Sequence, residues 1–96
     1  MLNERKAQSV SYDTRAGSAR VVVASGSGTG REGRGTALLD TKGQIVGVDV
    51  DEGSEPRVVV MLGAHEAVAR THVTRLTVTR DAGGEVLSVV VHDLGR

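Results

Sequence analysis

The sequence predicts a mainly β domain in which two related β-meanders share one valine core, as a small sandwich or partly closed barrel. Three observations predict it. Seventeen valines carry the apolar load, with no Phe or Trp and Tyr12 as the only aromatic. Valine is stiff at its first side-chain torsion and suits pleated sheet better than helix. Second, Arg20-Val21-Val22-Val23 returns as Arg57-Val58-Val59-Val60, and each opening leads through a connector to a hairpin-like stretch, at residues 37–50 and 76–91. The openings are 37 residues apart and the hairpin glycines, Gly43 and Gly84, are 41 apart. Third, turn-forming residues punctuate the apolar runs. Such a duplicated supersecondary unit buries its apolar face against its own copy.

The elements follow in order. Residues 1–6 read as a polar arm, and residues 7–96 as a single β domain with repeat units at about 20–51 and 57–93. Residues 8–12 alternate, with Val10 and Tyr12 against Ser9 and Ser11, which predicts a first strand. Residues 13–18 are a turn by residue type. Residues 20–24 are apolar on both faces and predict an interior strand. Residues 25–35 contain five glycines. That density costs backbone entropy and predicts a mobile loop. Residues 36–40 and 44–50 form a hairpin across Thr41-Lys42-Gly43. Residues 51–56 are a polar turn holding the only proline, and residues 57–62 a second apolar strand. Residues 64–70 have the composition of a short helix. Residues 72–80 and 85–92 make the last hairpin, with a bulge expected near Thr74-Arg75 where strict alternation breaks. The valine triplets at 21–23, 58–60 and 89–91 are expected at the centre of the sheets.

Charge and composition bound the function. Twelve basic and twelve acidic residues balance to a net charge of zero, which removes the clustered basic surface that nucleic acid needs. Arg31 and Arg34 flank Glu32 and read as a solvated face, and aromatic stacking platforms for single strands are missing. There is no cysteine for a disulfide or a thiolate metal site. No segment has the run of apolar residues that spans a membrane, and the start lacks the apolar core of a signal peptide, so the expected location is the cytoplasm. A core without large aromatics is modest in buried area. The triplets 58–60 and 89–91 are apolar on both faces, so a partner subunit is the expected cover. These points predict a homodimer, with a further protein partner as an option.

Several motifs invite a chemical reading. Gly28-x-Gly30-x-x-Gly33 follows a predicted strand, and Asp49 and Asp51 lie about twenty residues on, imitating the dinucleotide fingerprint. That reading needs a helix through residues 33–43, where three glycines and two threonines oppose one. A strand connector is the simpler reading. No Gly-Lys-Ser or Gly-Lys-Thr follows, which excludes a Walker-type loop. His65, Glu66, His72 and His92 could compose a metal site, but position 69 is Ala, so the i, i+4 histidine pair of a helical zinc site is missing. Isolated histidines are the plainer reading. Ser25, Ser27 and Thr29 have no evident base, and Gly26-Ser27-Gly28 is not a nucleophile elbow. Asp49 and Asp51 share a strand face and could hold a cation, although acids at a sheet edge also guard against unwanted pairing.

Ser11-Tyr12-Asp13, Ala19-Arg20-Val21-Val22-Val23 and the run Leu39-Asp40-Thr41-Lys42-Gly43-Gln44-Ile45-Val46-Gly47-Val48-Asp49 together resemble a family of short bacterial domains of unknown function. Those domains pair a Tyr-Asp start with an Asp-x-x-Gly-x-Ile/Val-Val/Ile-Gly hairpin. The resemblance covers residues 9–51. The glycine-dense stretch and the second half depart from the pattern. It implies a small β-meander domain and carries over no catalytic residue. Taken together, the residues predict a non-enzymatic protein that self-associates or binds a partner in a structural or regulatory role, with no cofactor. The alternative is a ligand-binding or enzymatic domain that uses residues 25–35 for phosphate or nucleotide.

Overall fold

The computed structural model describes residues 2–51, 57–62 and 68–94. It is mainly β. The strands are β1 (Leu2–Lys6), β2 (Ser9–Asp13), β3 (Ser18–Val22), β4 (Thr29–Leu39), β5 (Ile45–Asp51), β6 (Arg57–Met61), β7 (Arg70–Arg80) and β8 (Val86–Val91). They form one sheet in the order β1-β6-β5-β4-β7-β8-β3-β2, not the two sheets of a sandwich. Every neighbouring pair is antiparallel except β1 with β6.

The sheet curls into a half-barrel. Eight strands laid flat at about 4.8 Å spacing would make a thin layer, whereas the smallest principal extent is 24 Å. The N-terminal chain shows how the curl is held. β1 and β2 stand at opposite ends of the strand order, yet only Ala7 and Gln8 separate them. The Ala7 amide donates to the Met61 carbonyl at the end of β6, and the Gln8 amide to the Val22 carbonyl at the end of β3. Residues 2–6, expected as a free polar arm, are therefore a paired strand. Two longer ties cross the curl. The Ile45 amide donates to the Tyr12 hydroxyl at 3.0 Å. Arg5 meets Glu85 at 2.6 Å, an exposed pair worth about 0.2–1 kcal/mol.

Alternation then fills the concave side. Val21, Val48, Val60, Leu76, Val78, Val89 and Val91 are fully buried. Ala7, Val10, Val23, Leu62 and Leu94 pack against them. The convex neighbours Val22, Val59 and Val90 are half-buried, so the chain covers its valine triplets better than their composition implies.

The largest departure from expectation is residues 25–35. Thr29 to Gly35 belong to β4 and pair without interruption to β7, from Thr29↔Arg80 to Leu39↔Arg70. Glycine is required at one of these positions by packing. A Cβ on Gly35 would overlap Leu76 Cδ1 and the Asp49 carbonyl oxygen. The glycine thus opens room for the largest fully buried side chain of the core. The helix expected at 64–70 lies mostly outside the described residues; Val68 and Ala69 are irregular and Arg70 opens β7. The bulge is not near Thr74-Arg75. The irregularities fall between Leu38 and Leu39 against β5, and between Thr79 and Arg80 against β8.

The two hairpin turns are built alike. Asp40 accepts from the Lys42 and Gln44 amides through its carboxylate, and the Gly43 amide donates to the Asp40 carbonyl. Asp81 accepts from Gly83 and Glu85, and the Gly84 amide donates to the Asp81 carbonyl. Gly43 and Gly84 close the turns at φ of 81° and 87°, which other residues adopt at a cost.

Candidate functional site

On the filled concave side the buried Thr74 commits its hydroxyl to the His92 carbonyl, and the clefts lie at the rims of the half-barrel. The richer rim is formed by the β4–β5 turn, the start of β7 and the chain after β8. There Lys42, Gly43, Arg70, Thr71, His72 and Asp93 line a cleft of about 380 Å³. The β4–β7 register places Arg70 opposite Leu39, beside the turn. Its guanidinium lies over Gly43, 3.4 Å from where a Cβ would stand. An adjoining cleft of similar volume is lined by Tyr12, Asp13, Arg15 and Ser18, and shares Gly43 and Leu94.

The carboxylates of this rim are turned to local partners. Asp40 caps its own turn. Asp13 accepts from the Arg15 and Ala16 amides. Asp93, at a φ of 60°, meets Arg75 Nε at 3.6 Å, and its carbonyl lies 3.3 Å from His72 Nε2. Among the described residues, Lys42 and Arg70 form no ion pair. The lining of the cleft thus holds two cations, Lys42 and Arg70, against one carboxylate, Asp93, which is itself paired with Arg75. The cleft can receive an oxyanion through charge-assisted hydrogen bonds.

The structure separates most of the residues that the sequence grouped. Gly28 lies in the connector after β3, while Gly30 and Gly33 are in β4, opposite Thr79 and Leu76. The helix that a dinucleotide loop would need after Gly33 is replaced by strand, so the three glycines do not cradle a pyrophosphate in that manner. Asp49 is half-buried on the convex face, between Thr36 of β4 and Val59 of β6. Asp51 ends β5 opposite Arg34, and its side chain is outside the described residues. His65 and Glu66 are also outside them. His72 sits on the face of β7 that carries Thr74 and Leu76. The His92 ring bonds Thr77 on the other face, with Thr77 Oγ1 2.8 Å from His92 Nε2, while Thr74 Oγ1 donates to the His92 carbonyl at 2.7 Å. The two rings thus do not converge. Among the described residues, no group of three His, Cys, Asp or Glu is placed to hold a metal ion.

Lys42 and Arg70 were missed as a pair. The Asp-x-Lys-Gly turn locates Lys42 in the sequence, but Arg70 joins it only through the β4–β7 register. Among the described residues, no helix is long and apolar enough to cross a membrane. Comparison with protein-family models, curated proteins and solved structures found no match, so the resemblance of residues 9–51 identifies no family.

The glycines of the fingerprint pattern have separable roles. A Cβ on Gly28 would run into the Arg80 carbonyl oxygen, whereas one on Gly30 would stand 3.4 Å from Thr77 Cγ2 and 3.5 Å from Thr79 Oγ1. Gly28→Ala should therefore cost about 1–3 kcal/mol in urea unfolding, and Gly30→Ala less than about 0.5 kcal/mol. Equal effects would contradict this packing.

Proposed function

We propose that the chain is a non-enzymatic binding protein that takes an anionic group of a partner at the Lys42–Arg70 rim and self-associates as a homodimer. One observation carries the binding reading: two cations converge on a cleft whose neighbouring carboxylates are engaged elsewhere. Thr71 and His72 add polar groups to the same wall. The ligand class is an oxyanion, phosphate or carboxylate. Both inorganic phosphate and hexaglutamate serve as probes, and the tighter of the two identifies the source as phosphorylated or as an acidic protein segment. Arg70→Gln should weaken binding about tenfold or more, the equivalent of about 1.4 kcal/mol, and raised salt should weaken it as well. Binding of both probes that is indifferent to Arg70→Gln and to salt would overturn the assignment.

Self-association is supported by the convex face. Val73 is 61% exposed there. Along the ladder from it stand Arg34 opposite Arg75, and beyond them Glu32, 3.1 Å from Arg75 Nη1. Both signs of charge beside an apolar residue make a face complementary to itself, as an isologous contact requires. Light scattering should give the mass of two chains, and Val73→Asp should halve it. A monomeric mass for the wild-type chain at high micromolar concentration would remove the dimer.

We also infer that the chain is a duplicated unit, β3-β4-β5 followed by β6-β7-β8. Supporting this, the order β6-β5-β4-β7-β8-β3 reads the same from either end when the units are exchanged. The offset is 41 residues for the turn glycines, for the bounds of β4 and β7, and for the two register irregularities. The first strands match less simply. Val48 partners Val60 and Val89 partners Val21, which equates Val21 with Val60. The two Arg-Val-Val-Val runs are thus slipped by two residues against their structural equivalence.

A further inference from the structure

The duplication relates one rim of the half-barrel to the other. Its approximate two-fold axis passes between Arg34 and Arg75, which are 41 residues apart and face each other across the β4–β7 ladder. Applied to the Lys42–Arg70 cleft, the 41-residue offset carries Leu39 to Arg80, Gly43 to Gly84, Arg70 to Thr29 and His72 to Arg31. Those four positions line a second cleft, of about 500 Å³, at the opposite rim, together with Ser27 and Gly28. The cations have moved to different positions of the repeat, yet both clefts carry two of them.

We propose that this second cleft is a second oxyanion site, so that the protein is bivalent and holds two anionic groups at opposite rims. The proposal rests on the reading of the first rim as anion-binding and extends it. Arg31 is exposed and, among the described residues, forms no ion pair. Arg80 is positioned by its Nη1, which donates to the Gly84 carbonyl at 2.8 Å. Asp81 lines the cleft, but its carboxylate accepts from the Gly83 and Glu85 amides, as Asp40 does at the first rim. Glu85 itself is bonded by Arg5. Ser27 and Thr29 contribute hydroxyls that donate to phosphate oxygens. The chain between β3 and β4 is held against this rim, because the Val23 and Ala24 amides both donate to the Leu87 carbonyl. Gly28 allows the close approach to the Arg80 carbonyl that brings Ser27 and Thr29 beside the arginines. A bivalent protein gains avidity for any partner that can engage both rims.

The test is a titration with inorganic phosphate followed residue by residue in amide NMR spectra of the full chain. Two saturating sets of shifts are expected, one at Gly43 and Thr71 and one at Gly28 and Gly84. Arg31→Gln should weaken the second set at least tenfold and leave the first unchanged, and Arg70→Gln should do the reverse. Arg31 is exposed, and retained dispersion in the variant spectrum will show that it still folds. Shifts confined to Gly43 and Thr71 would overturn the second site while leaving the first. A second set that survives Arg31→Gln would also overturn it. Shifts at neither rim, with phosphate or in the same titration with hexaglutamate, would remove the anion-binding reading itself, and the second site with it.

Discussion

The antiparallel ladder between β4 and β7 is the contact on which the rest depends. It pairs eleven residues of each strand, from Thr29↔Arg80 to Leu39↔Arg70. Each strand then turns back through an Asp-x-x-Gly hairpin, β4 into β5 and β7 into β8. The outer strands add to those hairpins, and the N-terminal chain spans the two ends of the order. With no large aromatic to fill a flat interface, a valine core is enclosed by curling the sheet around it. The curl in turn directs the polar ends of the long strands to the two rims.

The hairpins were legible in the sequence because their turns are local. Asp40 and Asp81 bind the amides of their own loops, and a glycine three residues on accepts the positive φ. The alternating burial of the valine strands was legible for the same reason, since it follows from period two alone. Three features were not. The N-terminal half of β4 reads as a loop because glycine density is a local signal for disorder, while the need for glycine at position 35 is set at a distance, by the volume that Leu76 fills. β1 reads as an arm because Glu4, Arg5 and Lys6 are polar, and its partner β6 lies more than fifty residues away. The irregularities at Leu38/Leu39 and Thr79/Arg80 depend on register, which residue type alone does not specify.

The candidate site was legible in part. Glycine and histidine drew notice because recognised motifs use them, yet the structure distributes them among a ladder, a turn and two faces of one strand. The arginines and the lysine drew little, because their count is balanced by acids. What matters is where those acids point. Asp13, Asp40 and Asp81 each accept from two amides of the turn that follows them. Those hydrogen bonds turn the carboxylates into their own loops without removing their charge. Each cleft lining holds two cations and one carboxylate, so a chain of zero net charge has more basic than acidic side chains at both clefts.

Hydrogen exchange across β4 tests this account most directly, because the curl and the rims both follow from the β4–β7 ladder. The ladder amides of residues 29–39 and 70–80 should be among the most protected in the chain. They should exchange through the same opening that unfolds the valine core. Exchange of residues 29–35 at the rate of an unstructured chain, with protection beginning only at residue 36, would return that segment to a loop and contradict the account.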